Sequence, residues 1–225
     1  MGTTRKMLLL VGSPKRGKST SESIGTYLLE KVKEKGMEAD RILISQSISS
    51  RDGMEKLLRG VEGADIIVLT FPLYIDSLPT PVIRALEAIA EDRKGRPDVR
   101  RQEFLAIANS GFPEARQSET ALAISRRFAK ETGFAWAGGL AFGGGEAIGG
   151  QPLEKAGGRA RHLRRALDLS AAAIIEGRSV PETATALMAR PFIPRWLYTF
   201  MGDMGWRRKA KREGCRSRLD RRPYG

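Results

Sequence analysis

Cysteine and histidine are almost missing from these 225 residues, with one of each, Cys215 and His162. A single thiol excludes a disulfide within the chain, a four-cysteine zinc site and an iron–sulfur cluster ligated by this chain alone. It fits a reducing compartment, and the cytoplasm is expected. The lone histidine falls in Arg161-His162-Leu163-Arg164-Arg165, where a solvated helix face outweighs a catalytic base, so a serine–histidine–acid hydrolase has little support. No stretch reaches the roughly 18 consecutive apolar residues that a membrane-crossing helix needs. Only 11 prolines among 41% hydrophobic residues exclude collagen-like and wholly disordered chains. The length fits one large domain, or one of about 150 to 190 residues with an appended segment.

Charge is abundant and uneven. The formal net charge is +13, from 39 Lys/Arg against 26 Asp/Glu. Residues 190–225 hold 11 of the basic and 3 of the acidic side chains, a balance of +8, which leaves +5 for residues 1–189. Most of the excess is therefore a tail with a basic cluster from Trp206 to Arg212, attached to a mildly basic body.

Strand and helix signals alternate five times along that body. Short apolar runs at 6–12, 41–44, 64–71, 103–109 and 134–142 read as strands. Segments at 21–35, around Met54–Val61, at 79–92, 119–132 and from Leu153 to Ile174 read as helices. Such alternation predicts a parallel sheet covered on both faces by right-handed crossovers. The expected layout is a doubly wound domain over residues 1–178. A C-terminal extension over 179–225 is expected to pack on the core or on a partner subunit.

Gly12-Ser-Pro-Lys-Arg-Gly-Lys-Ser19 follows the first strand, precedes the first helix and matches the phosphate-loop pattern G-x-x-x-x-G-K-[ST]. A nucleotide triphosphatase also needs a carboxylate at the end of a neighbouring strand to hold magnesium. The third strand ends Thr70-Phe71-Pro72, and Asp65 lies at its opposite end. The alternative is a cradle for one terminal phosphate. It would be built from the hydroxyls of Ser13, Ser19, Thr20 and Ser21, free backbone N–H groups of the loop and helix N-terminus, and the charge of Lys15 or Lys18.

The segment after the third strand, Phe71-Pro-Leu-Tyr-Ile-Asp-Ser-Leu-Pro-Thr-Pro-Val-Ile-Arg84, makes the comparison specific. Together with Gly-Ser-Pro-Lys-Arg-Gly-Lys-Ser-Thr after the first strand, it resembles the NADPH-dependent FMN reductase family of flavodoxin-like proteins. Members carry G-S-P-R-x-x-(G/S)-N-T and S-P-V-Y-x-x-x-(M/L)-P-x-x-(L/F)-K at these places. This chain departs with Lys15 in place of arginine and Ser19 in place of asparagine, and it lacks the cysteine cluster of the iron–sulfur branch. The likeness spans about residues 5–175.

The resemblance implies a flavodoxin-like five-stranded sheet of order 2-1-3-4-5, with the ligand at the switch point between strands 1 and 3. It further implies FMN as cofactor, with NADPH or NADH as donor and a quinone, nitro- or azo-aromatic or flavin as small-molecule electron acceptor. Ser13, Lys15, Lys18, Ser19 and Thr20 would hold the phosphate. Pro72, Leu73, Tyr74 and Ile75 would wall the ring, with backbone N–H groups of 73–75 toward its pyrimidine edge. Asn109, Ser110, Gly111 and Phe112 would form the third wall. No protein nucleophile is required, because the flavin carries the hydride, and no metal is expected. A flavodoxin-type electron carrier and a phosphate-loop nucleotide-binding protein are the alternatives.

Three features lie outside that assignment. Gly143–Gly150 reads equally as a loop lining the site or as a plain glycine-rich turn, and Cys215 reads as an incidental thiol. In the tail, Phe192, Trp196, Tyr198, Phe200 and Trp206 alternate with arginines, the composition of a surface that packs on something. A partner subunit of a homodimer is the first expectation. Peripheral contact with an anionic membrane is the next, and a nucleic acid is disfavoured.

Overall fold

The computed structural model describes residues 5–15, 18–96, 100–191 and 195–215. The chain divides into two compact units, Met1–Phe192 and Ile193–Gly225.

The larger unit is a five-stranded parallel sheet in the order β2-β1-β3-β4-β5. Its strands are β1 (Lys6–Val11), β2 (Glu38–Leu43), β3 (Ile66–Pro72), β4 (Glu103–Asn109) and β5 (Ala135–Phe142). The connecting helices are α1 (Thr20–Glu34), α2 (Ile44–Ser47), α3 (Arg51–Gly63), α4 (Thr80–Arg93), α5 (Glu119–Glu131), α6 (Arg161–Ile175) and α7 (Glu182–Met188). The flavodoxin-like order is the one expected. It places β1 and β3 side by side, with β4 beyond β3.

Strand residues alternate between two cores. Met7, Leu9 and Val11 of β1 join Ile66 and Val68 of β3 under α1, α6 and α7. Leu8 and Leu10 join Ile67, Leu69 and Phe71 under α3, α4 and α5. Burial on both faces explains why β1 and β3 read as unbroken apolar runs. Each such side chain contributes roughly 1.5–3 kcal/mol relative to exposure.

Local signals set the helix starts. The Ser19 Oγ accepts the Glu22 N–H at 3.2 Å to cap α1, and Ser50 caps α3 through the Gly53 N–H at 3.1 Å. Such caps contribute about 1 kcal/mol each. Pro81 stands in the first turn of α4, where no donor is lost.

Two elements differ from the sequence reading. The last long helix begins at Arg161 rather than Leu153, because the chain turns at Gly157 with φ +65° and passes through a 3₁₀ turn at Gly157–Ala160. The apolar spacing of Leu153 and Ala160 survives because both pack into the core, Leu153 from the turn before Gly157 and Ala160 from the end of the 3₁₀ turn. The second difference is α7, which has Ala184 and Met188 buried. Just before it, the Val180 N–H donates to the Ala137 carbonyl on the outer side of β5 at 2.8 Å. The β4–β5 register skips Ala137 and leaves Gly138 at φ +148°.

The smaller unit contains α8 (Arg195–Arg212).

Candidate active site

The carboxyl ends of β1, β3, β4 and β5 open onto one cavity of about 370 Å³, within the size range of small-molecule sites. The loop after β1 lines it with Ser13, Lys15, Lys18, Ser19, Thr20 and Ser21. Pro72, Leu73 and Tyr74 come from the end of β3, and Asn109, Ser110 and Gly111 from the end of β4. A fourth wall comes from after β5, through Gly145, Glu146, Gly149 and Gly150. Of the site residues expected from sequence, Ile75 and Phe112 are the two outside this lining. Ile75 is 99% exposed and Phe112 52%.

The first loop has the chemistry of an anion cradle. The earliest helical bond of α1 runs from the Ser23 N–H to the Ser19 carbonyl, so the N–H groups of Thr20 and Ser21 have no acceptor within the helix. They sit at the positive end of its dipole. Lys15 and Lys18 have no carboxylate partner among the described residues. One hydroxyl is committed, Thr20 Oγ1, which donates to the Gly145 carbonyl at 2.7 Å, whereas Ser13 Oγ accepts the Lys15 N–H at 3.3 Å and keeps its own O–H to donate. Thr20 thus ties two walls together. Arg16 and Gly17 of the sequence motif lie outside the described residues.

The wall after β3 is a two-residue turn. The Tyr74 N–H donates to the Ser77 carbonyl and the Ser77 N–H to the Tyr74 carbonyl, both at 3.0 Å, with Ile75 at φ +48° and Asp76 at φ +56°. Glycine and asparagine normally occupy this geometry. The Leu73 N–H donates to the Asn109 carbonyl at 2.7 Å. Of the three backbone donors expected to face a ligand, those of Leu73 and Tyr74 are therefore already committed.

Asn109 is a structural tie. Its buried Nδ2 donates to Ser21 Oγ at 2.7 Å and to the Phe71 carbonyl at 2.9 Å, holding β4, α1 and β3 in register. The loop after β5 is bound just as closely, with Ser110 N–H on the Phe142 carbonyl at 2.9 Å and Gly145 N–H on the Ser110 carbonyl at 2.7 Å. Two glycines permit this approach. A Cβ on Gly145 would sit 3.0 Å from Asn109 Oδ1. On Gly150, at φ +74°, it would sit 2.6 Å from the Lys18 carbonyl carbon and 2.8 Å from the Ser19 nitrogen. The Gly143–Gly150 segment is thus a wall of the site rather than a plain turn. Its glycine density was the sequence signal for it, but spacing alone does not show which backbone each glycine must approach.

The cavity has one carboxylate, Glu146. β3 ends without an acid. Asp65, at the other end of that strand, accepts the Lys6 N–H at 2.7 Å and pairs with Arg100 at 3.4 Å. The donor set fits a phosphate monoester attached to a flat, mostly uncharged body. Thr20 and Ser21 N–H, Lys15 and Lys18 could hold the anion, and Pro72, Leu73 and Tyr74 could flank the rest.

Tyr27, His162 and Cys215 are not among the residues that line the cavity. The Tyr27 hydroxyl donates to Asp168 Oδ1 at 2.9 Å and joins α1 to α6; burial, then that carboxylate, hold its pKa well above the ordinary tyrosine value. His162 is partly buried on α6 rather than fully solvated, and burial lowers its pKa despite an interaction with the Arg190 backbone. Cys215 is partly exposed, and Arg216 and Arg218 beside it lie outside the described residues.

A family model described as NADPH-dependent FMN reductase matches residues 5–121, just over half the chain. No curated protein is significantly similar to it. Among solved structures, an FMN-dependent NADH-azoreductase from Bacillus anthracis in complex with FMN shares 14% identity at a TM-score of 0.55, covering 76% of this chain and 100% of its own. A putative quinone reductase from Klebsiella pneumoniae shares 13% identity at 0.56, covering 79% and 88%. RosB with a bound flavin intermediate shares 13% at 0.57, covering 94% and 88%. At these identities the structural matches establish the fold.

Proposed function

The chain belongs to the NADPH-dependent FMN reductase family, and from that premise we propose that its four-walled cavity binds FMN and passes reducing equivalents from NAD(P)H to a quinone, a nitro- or azo-aromatic, or a free flavin. When bound, FMN supplies the hydride-carrying ring. The chain's residues supply position and charge. The free N–H groups of Thr20 and Ser21, with Lys15 and Lys18, would hold the phosphate, and the hydroxyls of Ser13 and Ser19 line the cavity from the same part of the chain. Pro72 to Tyr74 and Ser110 to Gly111 would flank the ring and limit water around it. Asn109 acts indirectly by fixing the strand ends that carry these walls.

One observation carries the reading: a single cavity joins an anion cradle after β1 to a largely apolar wall after β3 and a small, polar wall of Asn109, Ser110 and Gly111 after β4. A magnesium-dependent triphosphatase is less well supported, because β3 ends in Thr70-Phe71-Pro72. The reading includes a homodimer. Tyr74, Ile75 and Phe112 form exposed apolar residues on the loops beside the cavity, suited to cover by a second copy.

Purification and a visible spectrum test the cofactor. A yellow protein, or one that takes up added FMN at micromolar levels and then oxidises NAD(P)H with a quinone present, is the expected result. A colourless protein that also fails to take up FMN would falsify it. FMN uptake with negligible NAD(P)H oxidation would favour an electron carrier instead.

A further inference from the structure

We propose that α8 is a peripheral docking element for an anionic lipid bilayer, independent of the flavin assignment. Trp196, Phe200 and Met204 are spaced four residues apart and so share one stripe of the helix. They are 69%, 58% and 38% exposed. Arg207 and Lys211 continue that stripe, and Arg208, Lys209 and Arg212 surround its end, all exposed. Lys209 Nζ lies 5.6 Å from the ring centroid of Trp206, itself 66% exposed. The helix is therefore divided along its length, with an aromatic first half and a cationic second half.

The occupant follows from both halves. Trp, Phe and Met side chains gain by entering the boundary between headgroups and acyl chains, and lysines and arginines beside them gain from anionic headgroups. A nucleic acid would satisfy the cations and leave Phe200 and Met204 without a role. A second copy packed through this same helix would set the cationic cluster of Arg207, Arg208, Lys209, Lys211 and Arg212 against itself. No helix among the described residues is long and apolar enough to cross a membrane, so the contact is with the surface.

Co-sedimentation of the full chain with extruded vesicles tests this. Pelleting is expected with vesicles of phosphatidylglycerol and phosphatidylcholine, little with phosphatidylcholine alone, and less as ionic strength rises. The triple variant R207S/R208S/K209S should weaken anionic-vesicle affinity by about a hundredfold. W196S/F200S should weaken it by about tenfold or more. Both should keep the far-UV circular dichroism and the urea-unfolding midpoint of the parent, which shows that they fold. Failure to pellet with anionic vesicles, or equal binding to neutral ones, would overturn the proposal. So would full retention by both variants, binding of duplex DNA without binding of vesicles, or a defect of W196S/F200S confined to self-association.

Discussion

Substitution of Gly150 by alanine tests whether the loop after β5 is a wall of the cofactor site. A Cβ there would lie 2.6 Å from the Lys18 carbonyl carbon, 2.7 Å from its oxygen and 2.8 Å from the Ser19 nitrogen. Relaxed carbon contacts begin near 3.5 Å, so one of the two backbones must retreat by about 1 Å. The neighbours are main-chain atoms at the head of the anion cradle, which have no rotamer with which to yield. Residue 150 also holds φ +74°, which adds about 1–2 kcal/mol for an L-residue. Overpacking adds typically about 1–3 kcal/mol.

Gly149 is the internal control. It has φ +59° and its nearest neighbour for a Cβ is the Glu146 carbonyl oxygen at 3.7 Å, an ordinary contact. Gly149→Ala should therefore incur the conformational cost alone. The difference between the variants, about 1–3 kcal/mol, should appear as roughly a five- to hundredfold weaker FMN affinity in Gly150→Ala. Titration of FMN fluorescence, alongside urea unfolding of each protein, separates affinity from stability. If Gly150→Ala binds FMN as tightly as Gly149→Ala, the loop does not shape the cradle and the reasoning fails.

The strained turn and the buried tyrosine give two further predictions. Ile75→Gly should raise stability by about 1 kcal/mol in urea unfolding, because φ +48° costs a branched side chain more than glycine loses in the unfolded chain; a destabilised variant would show that the exposed Ile75 side chain makes a contact that outweighs the strain. Tyr27→Phe should cost about 1–2 kcal/mol at neutral pH through loss of the Asp168 hydrogen bond. The folded tyrosine pKa lies above its ordinary value of 10.0, raised by burial and then by Asp168. Its stabilisation is therefore complete below pH 10 and declines as pH rises above that. The gap between parent and variant should narrow in strongly alkaline solution, and a gap that widened there would refute the assignment.

Much of this was legible in sequence because its causes are local. Burial on both faces makes β1 and β3 continuous apolar runs, and Ser19 announces the start of α1. The two motif loops follow β1 and β3, which the sheet order makes neighbours. What was not legible depends on approach between distant segments. That Thr20 would donate to Gly145, 125 residues away, or that Asn109 would reach Ser21, has no signature in either stretch. The expected ring-facing donors at Leu73 and Tyr74 read as free because their acceptors, Asn109 and Ser77, are fixed by the fold and a turn. Likewise Leu153 and Ala160 kept a helical spacing although the chain between them turns.

The bond from Val180 to Ala137 has a bearing on how molecules of this protein behave toward one another. Among the described residues β5 has no strand beyond it, and a bare sheet margin is a template on which a neighbouring chain can add itself, then another, without closure. Val180 occupies one acceptor on that margin, the register skips Ala137, and Pro181 brings no N–H with which the covering segment could recruit a further strand. Loss of this covering segment would expose that margin, and insoluble polymer would then be a sign of damage distinct from lost activity.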